Sequence, residues 1–222
     1  MDHSRTEHTD PIKVVSFDVE GTLVTPDFST GMWYECIPEY YGKKKGLCLE
    51  DAREAVVREY DRVGDGRLEW YDVRYWFQRF ELGDYREAFN RCLPRIRLYP
   101  EAEAVLSAVG QHYRLVVLSS SVREFLQHLL AGIRGRFDTV ISTVSDYGEL
   151  KTPQVYLRVC RELGISPEEM AHVGDNRQYD FLNAQVAGVR AFHLDRQGRY
   201  DGRETMKSLE ELRELLLGPS LP

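Results

Sequence analysis

Residues Ile12-Lys13-Val14-Val15-Ser16-Phe17-Asp18-Val19-Glu20-Gly21-Thr22-Leu23 run from an apolar, β-branched stretch into two acids and a Gly-Thr pair. A strand buried on both faces of a parallel sheet reads as a near-continuous apolar run, so this stretch predicts a strand that ends at Asp18. Gly21 permits a sharp turn just beyond it. Ligands of open α/β sheets bind outside the carboxyl ends of the strands, where Asp18 and Glu20 would both sit. Strand residues i and i+2 share a side, so the two carboxylates face one cavity if the extended geometry persists. Two carboxylates in one site can divide roles, one ionised as nucleophile or metal ligand and the other carrying a proton. An acid at a strand end is also good turn punctuation, so the rest of the chain has to decide between these readings.

Past Leu23 the strand pattern stops. Residues 31–41 place Met32, Trp33, Cys36, Ile37 and Tyr40 at helical spacing, with Pro38 expected to kink or shorten the helix. Residues 50–63 carry Ala52, Ala55, Val56, Tyr60 and Val63 along one face. After the Gly64-Asp65-Gly66 turn, 69–80 is aromatic-rich, and 85–93 forms a shorter helix that Pro94 ends. Residues 26–98 therefore predict a small all-helical insertion whose aromatic stripes pack its helices together.

From Pro100 onward strands and helices alternate. Strands are predicted over 113–118, 137–143, 170–173 and 189–194, and helices over 100–110, 122–130, 153–163, 181–187 and 208–217. Ser208 is expected to cap the last helix with Glu211 completing a capping box. Such alternation implies βαβ units and a parallel sheet. The predicted fold is α/β: a Rossmann-like three-layer core from residues 12–25 and 99–222, a helical insertion at 26–98, and a disordered tail at 1–11.

The chain has 222 residues, 42% of them hydrophobic, and a formal net charge of −7. That supports one sizeable core, or a core with a smaller companion. Lys43-Lys44-Lys45 is the one dense basic run and reads as a solvated loop, so nucleic acid is not an expected partner. Cys36, Cys48, Cys92 and Cys160 show neither a C-x-x-C pair nor zinc spacing. They read as reduced, mostly structural thiols of a cytoplasmic protein. The polar first ten residues lack the apolar segment of a signal peptide, and no apolar run is long enough to cross a bilayer.

Four polar positions fall at predicted strand ends or in the loops beyond them: Asp18/Glu20, Ser119, Lys151 and Asp175/Asp180. Taken singly, Ser119 could cap a helix, Lys151 could be a surface lysine, and Asp175 and Asp180 could cap the helix that follows. Together, carboxylates converging from separate strands repel one another unless a cation lies among them. Oxygen ligands with few nitrogens favour Mg²⁺. A hydroxyl, exposed backbone N–H groups and a lysine beside that metal suit a phosphoryl dianion.

The order of these positions resembles the haloacid dehalogenase superfamily of phosphohydrolases. Its D-x-D-x-T motif matches Asp18-Val19-Glu20-Gly21-Thr22, with Glu in place of the second Asp, and the Ser/Thr ending its second strand matches Ser119. Its lysine matches Lys151, although Lys151-Thr152-Pro153 departs from the common K-P-x-P form. Its acidic signature matches Gly174-Asp175 through Asp180, and the helical insertion resembles the C1 cap.

The resemblance implies that Asp18 attacks phosphorus, Glu20 is acid and base, and Lys151 screens Asp18 and the phosphoryl group. Gly21, Thr22, Ser119, Ser120 and Lys151 would contact phosphate. Asp18, the Glu20 backbone carbonyl, Asp175 and, through water, Asp180 would hold Mg²⁺. Trp33, Tyr34, Trp70, Tyr71 and Arg74 are candidates for choosing the substrate. The expected partner is a small-molecule phosphate ester, with no nucleic acid and no membrane, bound by a monomer or homodimer. The alternatives are a 2-haloacid dehalogenase, disfavoured by the acids at 175 and 180, and a catalytically silent binding protein that keeps the fold.

Overall fold

The computed structural model describes residues 12–218; the expected tail at 1–11 lies outside the described residues. Six parallel strands form one sheet: β1 Val14–Phe17, β2 Arg114–Ser119, β3 Thr139–Ser142, β4 Met170–Gly174, β5 Arg190–Leu194 and β6 Thr205–Met206. Their spatial order is β3-β2-β1-β4-β5-β6, so the chain winds outward from β1 first in one direction and then in the other. At the centre Phe17 lies opposite Val117 on one side and Val173 on the other. The residues that follow these three positions therefore emerge side by side at the switch point of the sheet. The two-residue β6 is an addition to the predicted set, too short to carry a readable period.

Every helix between β1 and β2 up to Arg95 belongs to the segment expected to be helical. These are α1 Asp27–Gly31, α2 Ile37–Lys45, α3 Leu49–Val63, α4 Val73–Arg79 and α5 Arg86–Cys92, with short 3₁₀ turns at Leu68–Tyr71 and Leu93–Arg95. Pro38 does not shorten its helix as expected. A π-helical turn at Met32–Cys36 joins α1 to α2, and Pro38 falls in the first turn of α2. The wider turn relieves the clash between a proline ring and the preceding turn's carbonyl, so the backbone continues.

Lys43-Lys44-Lys45 is the last turn of α2 rather than a loop. Lys44 Nζ there donates to the Phe80 and Glu81 carbonyls at 3.1 and 3.0 Å. Both ends of the helical segment meet at one neck: Thr25 N–H donates to the Arg97 carbonyl at 2.8 Å and Tyr99 N–H to the Leu23 carbonyl at 2.9 Å.

Strand side chains alternate between two apolar layers. Val15, Phe17, Leu115, Val117, Ala171 and Val173 face one layer, closed by α6 Ala102–Val109, α7 Arg123–Leu129 and, after the later helices, the last one at Leu209–Leu217. Val14, Val116, Leu118 and Met170 face the other, closed by α8 Pro153–Leu163 and α9 Asn183–Val186. This is the three-layer arrangement the pattern predicts. The last helix, α10 Leu209–Leu217, is capped by Ser208, whose side chain accepts from Glu210 N–H. Glu211 reaches the backbone N–H of Lys207, one residue short of a capping box.

Candidate active site

Asp18 extends β1 by one rung, its N–H donating to the Val173 carbonyl at 2.9 Å. The chain then folds back tightly: Leu23 and Val24 N–H both donate to the Val19 carbonyl, and Gly21 N–H to the Val24 carbonyl. Gly21 adopts φ 77°, and a Cβ there would lie 2.2 Å from Asp175 Oδ2. Glycine is thus required twice over, for the left-handed backbone and for the close approach of a carboxylate. Gly174 plays the same spatial part for Asp180, whose carboxylate would be 2.3 Å from a Cβ at that position.

Lys151 is buried and donates to Asp18 Oδ1 at 2.8 Å, to the Asp180 carboxylate, and to the Leu118 carbonyl at 3.4 Å. Burial alone would lower the Lys151 ammonium, but Asp18 and Asp180 overcome it and raise it above its usual range. Burial likewise works against ionised Asp180, and Lys151 and His172 more than offset it, holding this carboxyl below its usual range. Asp180 also accepts from Asn176 N–H at 2.9 Å. His172 Nε2 lies 3.3 Å from Asp180, and its Nδ1 is 2.6 Å from the Ser16 hydroxyl. Burial holds this imidazole below its usual range.

Asp18, Asp175 and Asp180 each offer an oxygen, and these oxygens lie within 4.8 Å of one another. One lysine cannot neutralise three such groups. Burial raises Asp18, Lys151 only partly opposing it while Asp180 adds to it. Asp175 is the exposed member of the trio, yet its carboxyl is pressed against Gly21. Desolvation of that carboxyl, with the charges of Asp18 and Asp180, pushes it up to about 8. An all-oxygen cluster with surplus negative charge fits a Mg²⁺ ion.

Across the cavity, Glu20 is raised to about 7, chiefly by burial, with the Ser29 and Ser121 hydroxyls opposing the shift. Ser121 Oγ donates to Glu20 Oε2 at 3.3 Å, whereas Glu20 Oε1 is buried without a partner. Ser119, buried at the end of β2, accepts from Ser121 N–H at 3.3 Å, and Ser120 Oγ lies 3.5 Å from Thr143 Oγ1.

These groups open on a cavity of about 260 Å³. Asp18, Glu20, Gly21, Ser119, Ser120, Lys151, Asp175 and Asp180 line its floor, and Trp33, Tyr34, Trp70 and Tyr71 line it from the helical side. Two sequence candidates lie elsewhere. Thr22 is fully buried and absent from the cavity lining, because the tight turn carries it under the loop. Arg74 points to the outside of α4, where it pairs with Glu124 of α7 and sits over the Tyr85 ring; it is not part of the lining.

Other contributors escaped the sequence. Ser29, Ser121, Asn176 and Tyr179 line the cavity. Arg196 braces the turn after β1, donating to the Gly21 and Thr22 carbonyls at 3.2 and 2.8 Å. Asn183 holds the Lys151 carbonyl at 2.8 Å. None of these has a spacing that would single it out; Ser121 and Asn176 alone carried a signal, as the third residues of Ser-Ser-Ser and Gly-Asp-Asn at strand ends.

Acids that follow two separate strands are thus gathered with Lys151 and Glu20 around one cavity. The chain belongs to the haloacid dehalogenase-like hydrolase family, whose model matches residues 12–188. The phosphoserine phosphatase of Thermus thermophilus is 35% identical to it over 140 residues, 61% of this chain but only 56% of that protein. The GMP/IMP nucleotidase YrfG of Escherichia coli is 25% identical over 185 residues, 81% of each chain. A solved HAD phosphatase from Thermococcus onnurineus superposes with a TM-score of 0.83 over 93% of this chain and 99% of that one, at 27% identity. This chain is therefore a hydrolase of that superfamily with phosphatases among its relatives. Among the described residues, no helix is long and apolar enough to cross a membrane.

Proposed function

We propose that the protein is a Mg²⁺-dependent phosphomonoester hydrolase acting on a small soluble ester through an aspartyl-phosphate on Asp18. The observation that carries this reading is the juxtaposition of Asp18, Lys151, Asp175 and Asp180 at the mouth of β1 and β4, with Glu20 facing them. Asp18, Asp175, Asp180 and the Glu20 backbone carbonyl are the residues that would hold the metal. When bound, Mg²⁺ supplies positive charge that lets an anionic nucleophile and a phosphoryl dianion share one site.

Lys151 favours the ionised form of Asp18 for attack on phosphorus. As the Asp18–phosphorus bond forms and the ester P–O bond breaks, Glu20 gives its proton to the departing alkoxide. Ser119 and Ser120 hold phosphoryl oxygens. In the second half, Glu20 takes a proton from water, the water oxygen attacks phosphorus, and the Asp18–phosphorus bond breaks, regenerating the Asp18 carboxylate and releasing inorganic phosphate. The helical segment at 26–98 serves as a cap that limits water and substrate size.

Carbon-directed attack, as in a dehalogenase, would leave the cluster of three acids without a role. A silent binding protein would have no use for a proton-carrying Glu20. The test is hydrolysis of phenyl phosphate with and without Mg²⁺. Activity that requires Mg²⁺ and disappears in Asp18→Asn supports the reading; full activity in a chelator, or in Asp18→Asn, overturns it.

A further inference from the structure

We infer that the site takes an ester whose leaving group is uncharged and apolar, and that it excludes alcohols bearing a carboxylate. The inference rests on the phosphatase reading and concerns the part of the cavity beyond the phosphoryl position. Among the described lining residues, Lys151 is the one cation, set against Asp18, Glu20, Asp175 and Asp180. Its ammonium is already engaged by Asp18 and Asp180. A divalent ion and Lys151 together only balance the three aspartates, and the phosphoryl dianion then leaves the site negative.

The wall that meets the leaving group offers no cation. Its aromatic part is Trp33, Tyr34, Trp70, Tyr71, Tyr179 and Phe125, with the neutral Ser29, Thr30 and Asn176 among the other lining residues. Trp33 and Trp70 stack at 6.4 Å with an interplanar angle of 26°, and the Trp33 indole N–H is spent on the Trp70 carbonyl at 3.3 Å. Acids also flank this wall: the Tyr179 hydroxyl donates to the Asp65 carbonyl at 3.3 Å, and Asp61 acts on Tyr34 and Asp65 on Tyr71. Arg53, also near the rim, donates to the Tyr34 carbonyl at 3.1 Å. A carboxylate entering here would be desolvated without a cationic partner, whereas an apolar face would replace water against aromatic rings. The cavity, about 260 Å³, is below the roughly 300–1,000 Å³ of drug-sized ligand pockets, so a leaving group of about one ring suits it.

Calorimetry on the Mg²⁺-loaded protein should compare benzylphosphonate with 4-carboxybenzylphosphonate, neither of which can be hydrolysed. Benzylphosphonate, which lacks the carboxylate, should bind about a hundredfold more tightly, the scale of an unpaired buried polar group. Tyr34→Lys, at a rim position 39% exposed and so tolerant of change, should bring the carboxylated compound to within about tenfold, since it introduces the missing partner. Equal binding of the two compounds by the wild type would overturn the inference, as would a Tyr34→Lys variant that keeps the full preference. Hydrolysis of benzyl phosphate alongside tells the two readings apart. Turnover of benzyl phosphate with O-phospho-L-serine a poor substrate supports both, and turnover with O-phospho-L-serine equally good defeats only this inference. Tight, selective phosphonate binding without any turnover defeats the phosphatase reading and leaves the binding preference standing.

Discussion

Gly21 and Asp175 occupy one space: a methyl group on the former would sit 2.2 Å from the carboxylate of the latter. The first strand's turn and the fourth strand's acid are thus fitted to each other through the absence of a side chain. Gly21→Ala has to escape a φ of 77° and push Asp175 aside. A strained non-glycine residue costs about 1–3 kcal/mol. The variant should lose stability on that scale and bind Mg²⁺ at least about tenfold more weakly, read by denaturant titration and calorimetry. Wild-type metal affinity would mean that Asp175 is not a ligand.

Lys151→Met keeps the length of the side chain and removes its charge. Asp180 is then left ionised in a fully enclosed position, a change worth roughly 3–5 kcal/mol when one partner of a buried pair is lost. The metal-free variant should unfold at markedly lower urea concentration and be inactive. An unchanged midpoint would show that the ammonium is not what holds the two aspartates together.

Glu20→Gln retains the hydrogen bond from Ser121 while removing the transferable proton. kcat for an alkyl phosphate should fall by about 10²–10⁴. Mg²⁺ affinity should change little, because the backbone carbonyl rather than the side chain is proposed to reach the metal. Equal losses in kcat and in metal affinity would assign the side chain to the metal instead.

The stabilisation that Glu20 and Asp175 give the metal-free protein should decline with rising pH. Burial lifts Glu20 from an ordinary value of 4.5 to about 7, and desolvation with neighbouring charge lifts Asp175 from 3.8 to about 8. A carboxyl with a raised folded-state pKa stabilises the fold fully only below its unfolded value, and that contribution is lost as pH climbs through the folded value. The loss should therefore extend from about pH 4 to about pH 8. Protons and Mg²⁺ compete for the Asp175 carboxylate, so the rise in melting temperature on adding Mg²⁺ should be larger near the top of that window than near its base. Scanning calorimetry across the range checks both slopes; an Mg²⁺ effect that shrinks with pH would contradict the assignment.

Arg74→Ala should leave KM and kcat close to wild type, since the guanidinium pairs with Glu124 outside the cavity. The pair is solvent-accessible, so its loss should cost no more than about 1 kcal/mol. A large rise in KM would return Arg74 to the substrate site.

Much of the fold was legible because its signals are local. The strand runs at 113–118 and 170–173 are short and mostly apolar, and Pro153 with Gly164 brackets a helix at both ends. Asp18, Lys151 and Asp180 were legible as a set because acids and a lysine at strand ends are costly unless they meet. What remained hidden depends on tertiary geometry. Pro38 was expected to disturb its helix, and only the π turn beside it shows why it does not. Thr22 and Arg74 are polar residues near the right elements whose side chains the backbone directs elsewhere. Ser29 and Arg196 belong to segments with no chemical signature of their own, brought to the turn after β1 by the packing of distant elements.

The most direct test is to quench a single turnover in acid and map the phosphorylated peptide by mass spectrometry. Phosphate should appear on Asp18, should require Mg²⁺, and should accumulate when Glu20→Gln slows its hydrolysis. Phosphate on another residue, or unimpaired turnover by Asp18→Asn, would contradict the account at its root.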